Sequence, residues 1–135
     1  MRLVVVLLVA CGGHATAPVA PEPPKTMQLN EPGANVDIEA KLDAGYVTVV
    51  DFWSEHCGAC VVVGGMLAIK VAKEPHILIR KVDVGDSFTP VAAAYEISAL
   101  PHYRVYDKQK RLRYDLVGND CVKAPEIAMQ LVAEP

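Results

Sequence analysis

Hydrophobic and polar positions change rhythm several times along the chain. Residues 3–10 form an unbroken apolar run, whereas residues 12–26 carry four prolines between Pro18 and Pro24 and show no hydrophobic period. From about Met27 the pattern becomes that of a packed domain. In residues 35–45, Val36, Ile38 or Ala40, and Leu42 fall at loosely helical spacing, and Gly45 supplies a stop. Residues 46–52, YVTVVDF, are continuous and β-branched, which predicts a strand buried on both faces. Residues 57–73 predict a helix closed by Pro75, and residues 76–84 a second central strand. Residues 89–97 predict a short helix with Pro90 in its first turn. Residues 102–107 and 111–117 alternate as two antiparallel strands joined through Lys108-Gln109-Lys110. Residues 124–134 predict a closing helix with Pro125 near its start. The order strand, helix, strand, helix, strand, strand, helix, without internal repeat, is that of a mixed α/β fold.

Length and charge narrow the function classes. A chain of 135 residues suits one domain with its own core. The net charge is -3 and lysines and arginines do not cluster, so neither nucleic acid nor an anionic membrane surface is expected as a partner. The eight apolar residues 3–10 cannot span a bilayer, which takes about 20 in a helix. Followed by Leu8-Val9-Ala10-Cys11, they resemble a bacterial lipoprotein signal peptide, although export signals usually run to ~15 residues or more. This reading makes residues 1–10 a signal peptide and Cys11 the lipidated residue. Residues 11–28 become a proline-rich linker and residues 29–135 the folded domain, tethered to the lipid bilayer of a bacterial cell envelope and facing the periplasm.

The candidate chemistry sits where the first long strand meets its helix. In Cys57-Gly58-Ala59-Cys60, the first cysteine falls at the helix N-terminus, where unpaired N–H groups and the helix dipole favour a thiolate. The second lies one turn on, within disulfide reach. Such a pair can exchange two electrons as dithiol and disulfide. Half of a structural zinc site is the bland alternative, but zinc takes four ligands and no second C-x-x-C or H-x-x-x-H occurs.

From about residue 30 to the end, the chain resembles the thioredoxin family. The residues that carry the resemblance are Asp51-Phe52-Trp53, Cys57-Gly58-Ala59-Cys60, the strand Lys81 to Val84, the loop Ala99-Leu100-Pro101 and Gly118, in order and at nearly the family's spacings. The resemblance implies a central mixed sheet of four to five strands flanked by helices. It implies Cys57 as the exposed nucleophile and Cys60 as the buried resolving thiol, with no cofactor beyond the Cys57–Cys60 disulfide. It implies a cis Pro101 whose backbone pairs with a protein disulfide or dithiol substrate, and a substrate-binding surface of Trp53, Gly58, Ala59, Leu100, Pro101 and Gly118. Asp51 in an apolar strand is costly as a carboxylate unless paired or protonated. It is expected either to take the proton of Cys60, with Lys81 as its charge partner, or to sit at a frayed strand end facing solvent.

Departures from the family pattern add further expectations. Ala59 replaces the proline of the usual C-G-P-C, His56 stands where thioredoxins have tryptophan, and His102 where they have threonine. Both histidines are read either as tuning the Cys57 thiolate, which makes the couple more oxidising, or as neutral surface residues. Gly64-Gly65 occupies the place of a helix-bending proline, and the helix is apolar nearly all round. Cys121 is read as a buried filler, ahead of a surface thiol or an intermolecular bridge. Two functions follow. The first is a membrane-tethered thiol-disulfide oxidoreductase acting on envelope proteins, with a membrane or soluble thiol as electron donor or acceptor. The second is a Cu(I) carrier using Cys57, Cys60 and one of His56 or His102.

Overall fold

The computed structural model describes residues 13, 16–86 and 88–135, so the apolar run 1–10 and Cys11 lie outside the described residues. Among those described, no helix is long and apolar enough to cross a membrane. Five strands form one mixed sheet: β1 (Thr26–Gln28), β2 (Val47–Trp53), β3 (Ile77–Asp83), β4 (His102–Tyr106) and β5 (Leu112–Val117), in the order β1-β3-β2-β4-β5. β3 runs parallel to both β1 and β2, while β4 is antiparallel to β2 and β5 to β4.

Helices cover both faces, which is why β2 reads as a continuous apolar run rather than an alternating one. On one face Val47, Val49, Ile79, Tyr103 and Val105 pack against Leu67 and Val71 of α1 (Gly58–Val71) and against Ala128 and Leu131 of α3 (Ala124–Ala133). On the other, Val50, Phe52, Val82 and Tyr106 meet Val91 and Ala92 of α2 (Pro90–Ala94), together with Ile38 and Leu42. Alternation along the strands assigns each residue to a face. Asp51 and Tyr103 belong to the α1 side, and Phe52 and His102 to the α2 side.

Three segments differ from the sequence expectation. Residues 35–45 hold only a 3-10 turn, Glu39–Lys41, because the Asp37 carboxylate accepts the Ala40 N–H at 3.2 Å and Leu42 is already extended. The short helix stops at Ala94, where the Tyr95 hydroxyl donates to Val36 O (2.7 Å) and accepts from Ile38 N (3.0 Å). Glu96 then takes a positive φ of 56°. The sheet also draws in residues of the proline-rich segment, since β1 begins at Thr26. The fully buried Arg80 donates to Pro24 O at 2.9 Å and pairs with Asp43 at 2.8 Å. β1 has three exposed side chains, so its place comes from backbone hydrogen bonds that leave no hydrophobic trace in the sequence.

α1 runs unbroken through Gly64 and Gly65, and its outer face leaves Val61, Val62, Met66 and Ile69 exposed.

Candidate active site

β2 delivers Asp51 and Trp53 to the edge of the site, and the turn after it places Cys57 at the N-cap of α1. Its backbone N–H donates to Ser54 O at 3.2 Å, which closes that turn, and its sulfur accepts the Cys60 N–H at 3.1 Å. Cys57 and Cys60 are joined as a disulfide with their Cα atoms 5.3 Å apart. The two sulfurs differ in access, because Cys57 is half-buried between exposed neighbours His56, Gly58 and Ala59, while Cys60 is only 2% exposed.

Strand register lines up a row beneath α1. Asp51 is flanked by Lys81 on β3 and Tyr103 on β4, with Gln28 beyond Lys81 and Leu116 beyond Tyr103. The Asp51 carboxylate is buried, with Lys81 Nζ 3.8 Å from Oδ2 and, among the described residues, no hydrogen-bond partner at Oδ1. Burial pushes its pKa up to about 6, and Lys81 opposes the rise. Of the two expectations for Asp51, the buried one holds. Gly64 lies directly above, and since Cys60 and Gly64 are four residues apart they share one face of α1. Lys81 Nζ also sits 4.3 Å over the Trp53 ring, and the indole N–H donates to Gln28 Oε1 at 3.2 Å. Trp53 is thus held from the sheet edge by β1.

The Leu100–Pro101 peptide bond is cis. Because His102 pairs with Phe52, Pro101 lies opposite Trp53, at the strand end from which the Cys57 turn departs. Pro101 O accepts the Gly118 N–H at 2.8 Å, and Gly118 takes a φ of +60° that a β-carbon would strain. Leu100, Pro101 and Gly118 therefore form one tied rim.

The two histidines sit in different surroundings. His102 is buried on the α2 face, its ring 5.7 Å from that of Phe52 and its Nε2 bonded to Asp115. This corrects the expectation of a surface residue, and the reason is parity: the residue after Pro101 faces Phe52, on the covered face away from Asp51. His56 stays exposed, its Nδ1 3.4 Å from Asp86 Oδ1. Among the described residues no group of three or more histidines, cysteines and carboxylates is placed to hold a metal. With His102 turned away, one of the two histidines named for a copper ligand set is gone. Cys121 is fully buried and its thiol donates to Leu116 O at 3.3 Å, as a filler would.

Tyr103 is the site neighbour that the sequence pattern did not reveal. Its parity with Val105 marks it as inward-facing, but only the register shows that it abuts Asp51.

Comparison with known proteins gives a consistent result. The family model described as "Thioredoxin" matches residues 34–129. The thioredoxin of Mycoplasma pneumoniae is 37% identical over 60 residues, covering 44% of this chain and 58% of that protein. The mitochondrial thioredoxin of Mus musculus is 43% identical over 54 residues, or 39% of this chain and 32% of that protein. The chain thus spans little more than half the length of the first of these relatives. The crystal structure of reduced Schistosoma mansoni thioredoxin pre-protein superposes with a TM-score of 0.63 at 25% identity, covering 80% of this chain and 99% of that one.

Proposed function

The chain belongs to the thioredoxin family, and on that premise we propose that it is a thiol-disulfide oxidoreductase working through Cys57 and Cys60. The observation that carries this reading is the asymmetry of the pair: an accessible sulfur at a helix N-cap, bonded to a buried one on the helix face above Asp51. In the reduced protein the Cys57 thiolate attacks a substrate disulfide, forms a mixed disulfide and expels one substrate thiolate. Asp51 takes the Cys60 proton, and Cys60 sulfur then attacks Cys57 sulfur. The Cys57–Cys60 bond forms, the second substrate thiolate leaves and is protonated, and two electrons have passed to the substrate. An external thiol donor restores the dithiol. Substrate backbone is read at the rim of Leu100, Pro101 and Gly118, with Trp53, Gly58 and Ala59 as its walls.

The test is reduction of insulin by the protein with dithiothreitol as donor. Cys57→Ser is expected to abolish turnover, and Cys60→Ser to accumulate mixed disulfides, since it keeps the attacking thiolate and loses the resolving one. Undiminished turnover in the Cys57 variant defeats the reading.

The proposed place of action is a bacterial envelope membrane facing the periplasm, with Cys11 lipidated and protein dithiols or disulfides as partners. Its support is the apolar run, the Leu8-Val9-Ala10-Cys11 box and the prolines that follow. Cys11→Ser is expected to move the protein from the membrane to the soluble fraction, and equal fractionation of the two forms overturns the tether.

A further inference from the structure

Among the described residues, two buried oxygens on the α1 side of the sheet have no hydrogen-bond partner, and they are neighbours. They are Asp51 Oδ1 and Tyr103 Oη, on adjacent strands at paired positions. A Cβ built on Gly64 would lie 3.4 Å from Asp51 Oδ2 and 3.8 Å from Tyr103 Oη, so both side chains converge on a position in α1 that has no side chain. Buried polar groups are satisfied by protein or by ordered water, and a water needs polar neighbours and room. Carboxylate and phenol supply the first, and Gly64 the second.

The other donors around Asp51 are spoken for. Lys81 on β3 stands 3.8 Å from Oδ2, beyond hydrogen-bond distance, and lies over the Trp53 ring. Cys121, in the 3-10 turn Gly118–Lys123, gives its S–H to Leu116 O, and burial first of all pushes its pKa up to about 11. α1 contributes Cys60, held in the disulfide, and apolar Leu67 and Val71. α3 contributes Ala124, Ala128 and Leu131. Tyr103 remains. Burial, then the nearness of Asp51 and Cys121, holds its phenol protonated above the ordinary tyrosine range, so it can donate at every pH at which thiols exchange.

We propose that Tyr103 is a positioning residue whose hydroxyl donates, through one water seated against Gly64, to the Asp51 carboxylate and so sets how readily Asp51 takes the proton of Cys60. The proposal rests on the oxidoreductase reading for its last clause alone, since the buried pairing exists whether or not turnover does. A donor to the charged form of a carboxylate lowers its pKa, so the tyrosine restrains a rise that burial drives.

The experiment follows the Asp51 carboxyl carbon by NMR across pH in the oxidised full-length protein, beside the pH profile of insulin reduction. Tyr103→Phe keeps the ring and removes the donor, and is expected to move the Asp51 midpoint upward by about one pH unit. Gly64→Ala puts a methyl where the water sits and is expected to move it in the same direction. The double variant should shift no further than the larger single one, because both remove one bridge. The limb of the rate profile that reports Asp51 should rise with the midpoint in each variant. A midpoint unmoved or lowered by Tyr103→Phe, or shifts that add in the double variant, overturns the pairing. A moved midpoint with an unmoved rate profile overturns the positioning role. Wild-type protein without reductase turnover, but with the Tyr103→Phe shift intact, sinks the oxidoreductase reading and leaves the pairing standing. Thermal unfolding of each variant identifies a fold that has failed, and Gly64→Ala then carries the test without Tyr103→Phe.

Discussion

Asp51 and Asp107 are two buried aspartates of one sheet, and they do opposite things. Asp107, in the turn between β4 and β5, accepts the backbone N–H groups of Gln109 and Arg111, both at 3.0 Å. It also accepts Arg111 Nε at 2.8 Å and Arg113 Nη1 at 3.3 Å. Burial raises its pKa, but the Arg111, Gln109 and Arg113 hydrogen bonds outweigh burial and leave it lowered. Asp51 is likewise hidden from solvent but lies far deeper in the protein, with a lysine at 3.8 Å and, among the described residues, no donor at Oδ1, and its pKa rises to about 6. Depth of burial and number of donors together decide which carboxylate stays charged. The one with four donors closes a turn, and the other has the raised pKa that the proposed proton transfer calls for.

The contrast sharpens most on Asp51→Asn. Turnover is expected to fall at least ~10²-fold, the lower range for a lost general base, in the insulin assay. Stability should move the other way. The folded pKa lies above the unfolded value near 3.8, so Asp51 favours the fold in acid and penalises it as pH rises between about 4 and 6. A rise of that size is worth about 3 kcal/mol at most, so the asparagine variant should be more stable at pH 8 by up to that amount. The gain should vanish below about pH 4 in denaturant titrations. A variant destabilised at pH 8 breaks the comparison.

Asp107→Ala should do the reverse. Four donors lose their acceptor, which is expected to cost about 2–3 kcal/mol at neutral pH with turnover unchanged. The wild-type contribution of Asp107 is fully present above the unfolded carboxylate range and is lost as pH falls through its lowered folded pKa. Denaturant unfolding and the insulin assay, run side by side, check both halves.

Smaller effects refine the picture. Lys81→Met removes the one charge that opposes the rise at Asp51, and is expected to raise the NMR midpoint of Asp51 by about half a pH unit, since the lysine is partly solvated. Arg113→Ala removes the longest of the four hydrogen bonds to Asp107 and a pair to Glu134. As a solvated arginine it should lower stability in denaturant unfolding by less than Asp107→Ala does.

Much of this fold could be read in the sequence, and the failures have identifiable causes. Residues 46–52 and 76–84 announce buried strands because helices cover both faces of the sheet. The helix expected in residues 35–45 failed because Asp37 offers its own acceptor to the backbone and Ile38 and Leu42 reach the core without a regular turn. β1 was hidden because a three-residue edge strand with exposed side chains is written in backbone hydrogen bonds. Arg80, a charge inside an apolar strand, was a clue that partners such as Asp43 and Pro24 exist, but sequence alone does not say which distant groups meet it.

Pattern along the chain was enough to establish the order of the strands and main helices from β2 onward, the cysteine pair at the joint of strand and helix, and the presence of a carboxylate inside an apolar strand. These are local properties, set by periodicity and by neighbours in sequence. It took the folded sheet to place Asp51 between Lys81 and Tyr103, to leave space above them at Gly64, and to turn His102 to Asp115 on the far face. The reason is register. Side chains alternate with a period of two, so a slip of one residue between β2 and β4 would exchange Tyr103 for His102 beside Asp51. That choice is made by packing both faces of the sheet at once.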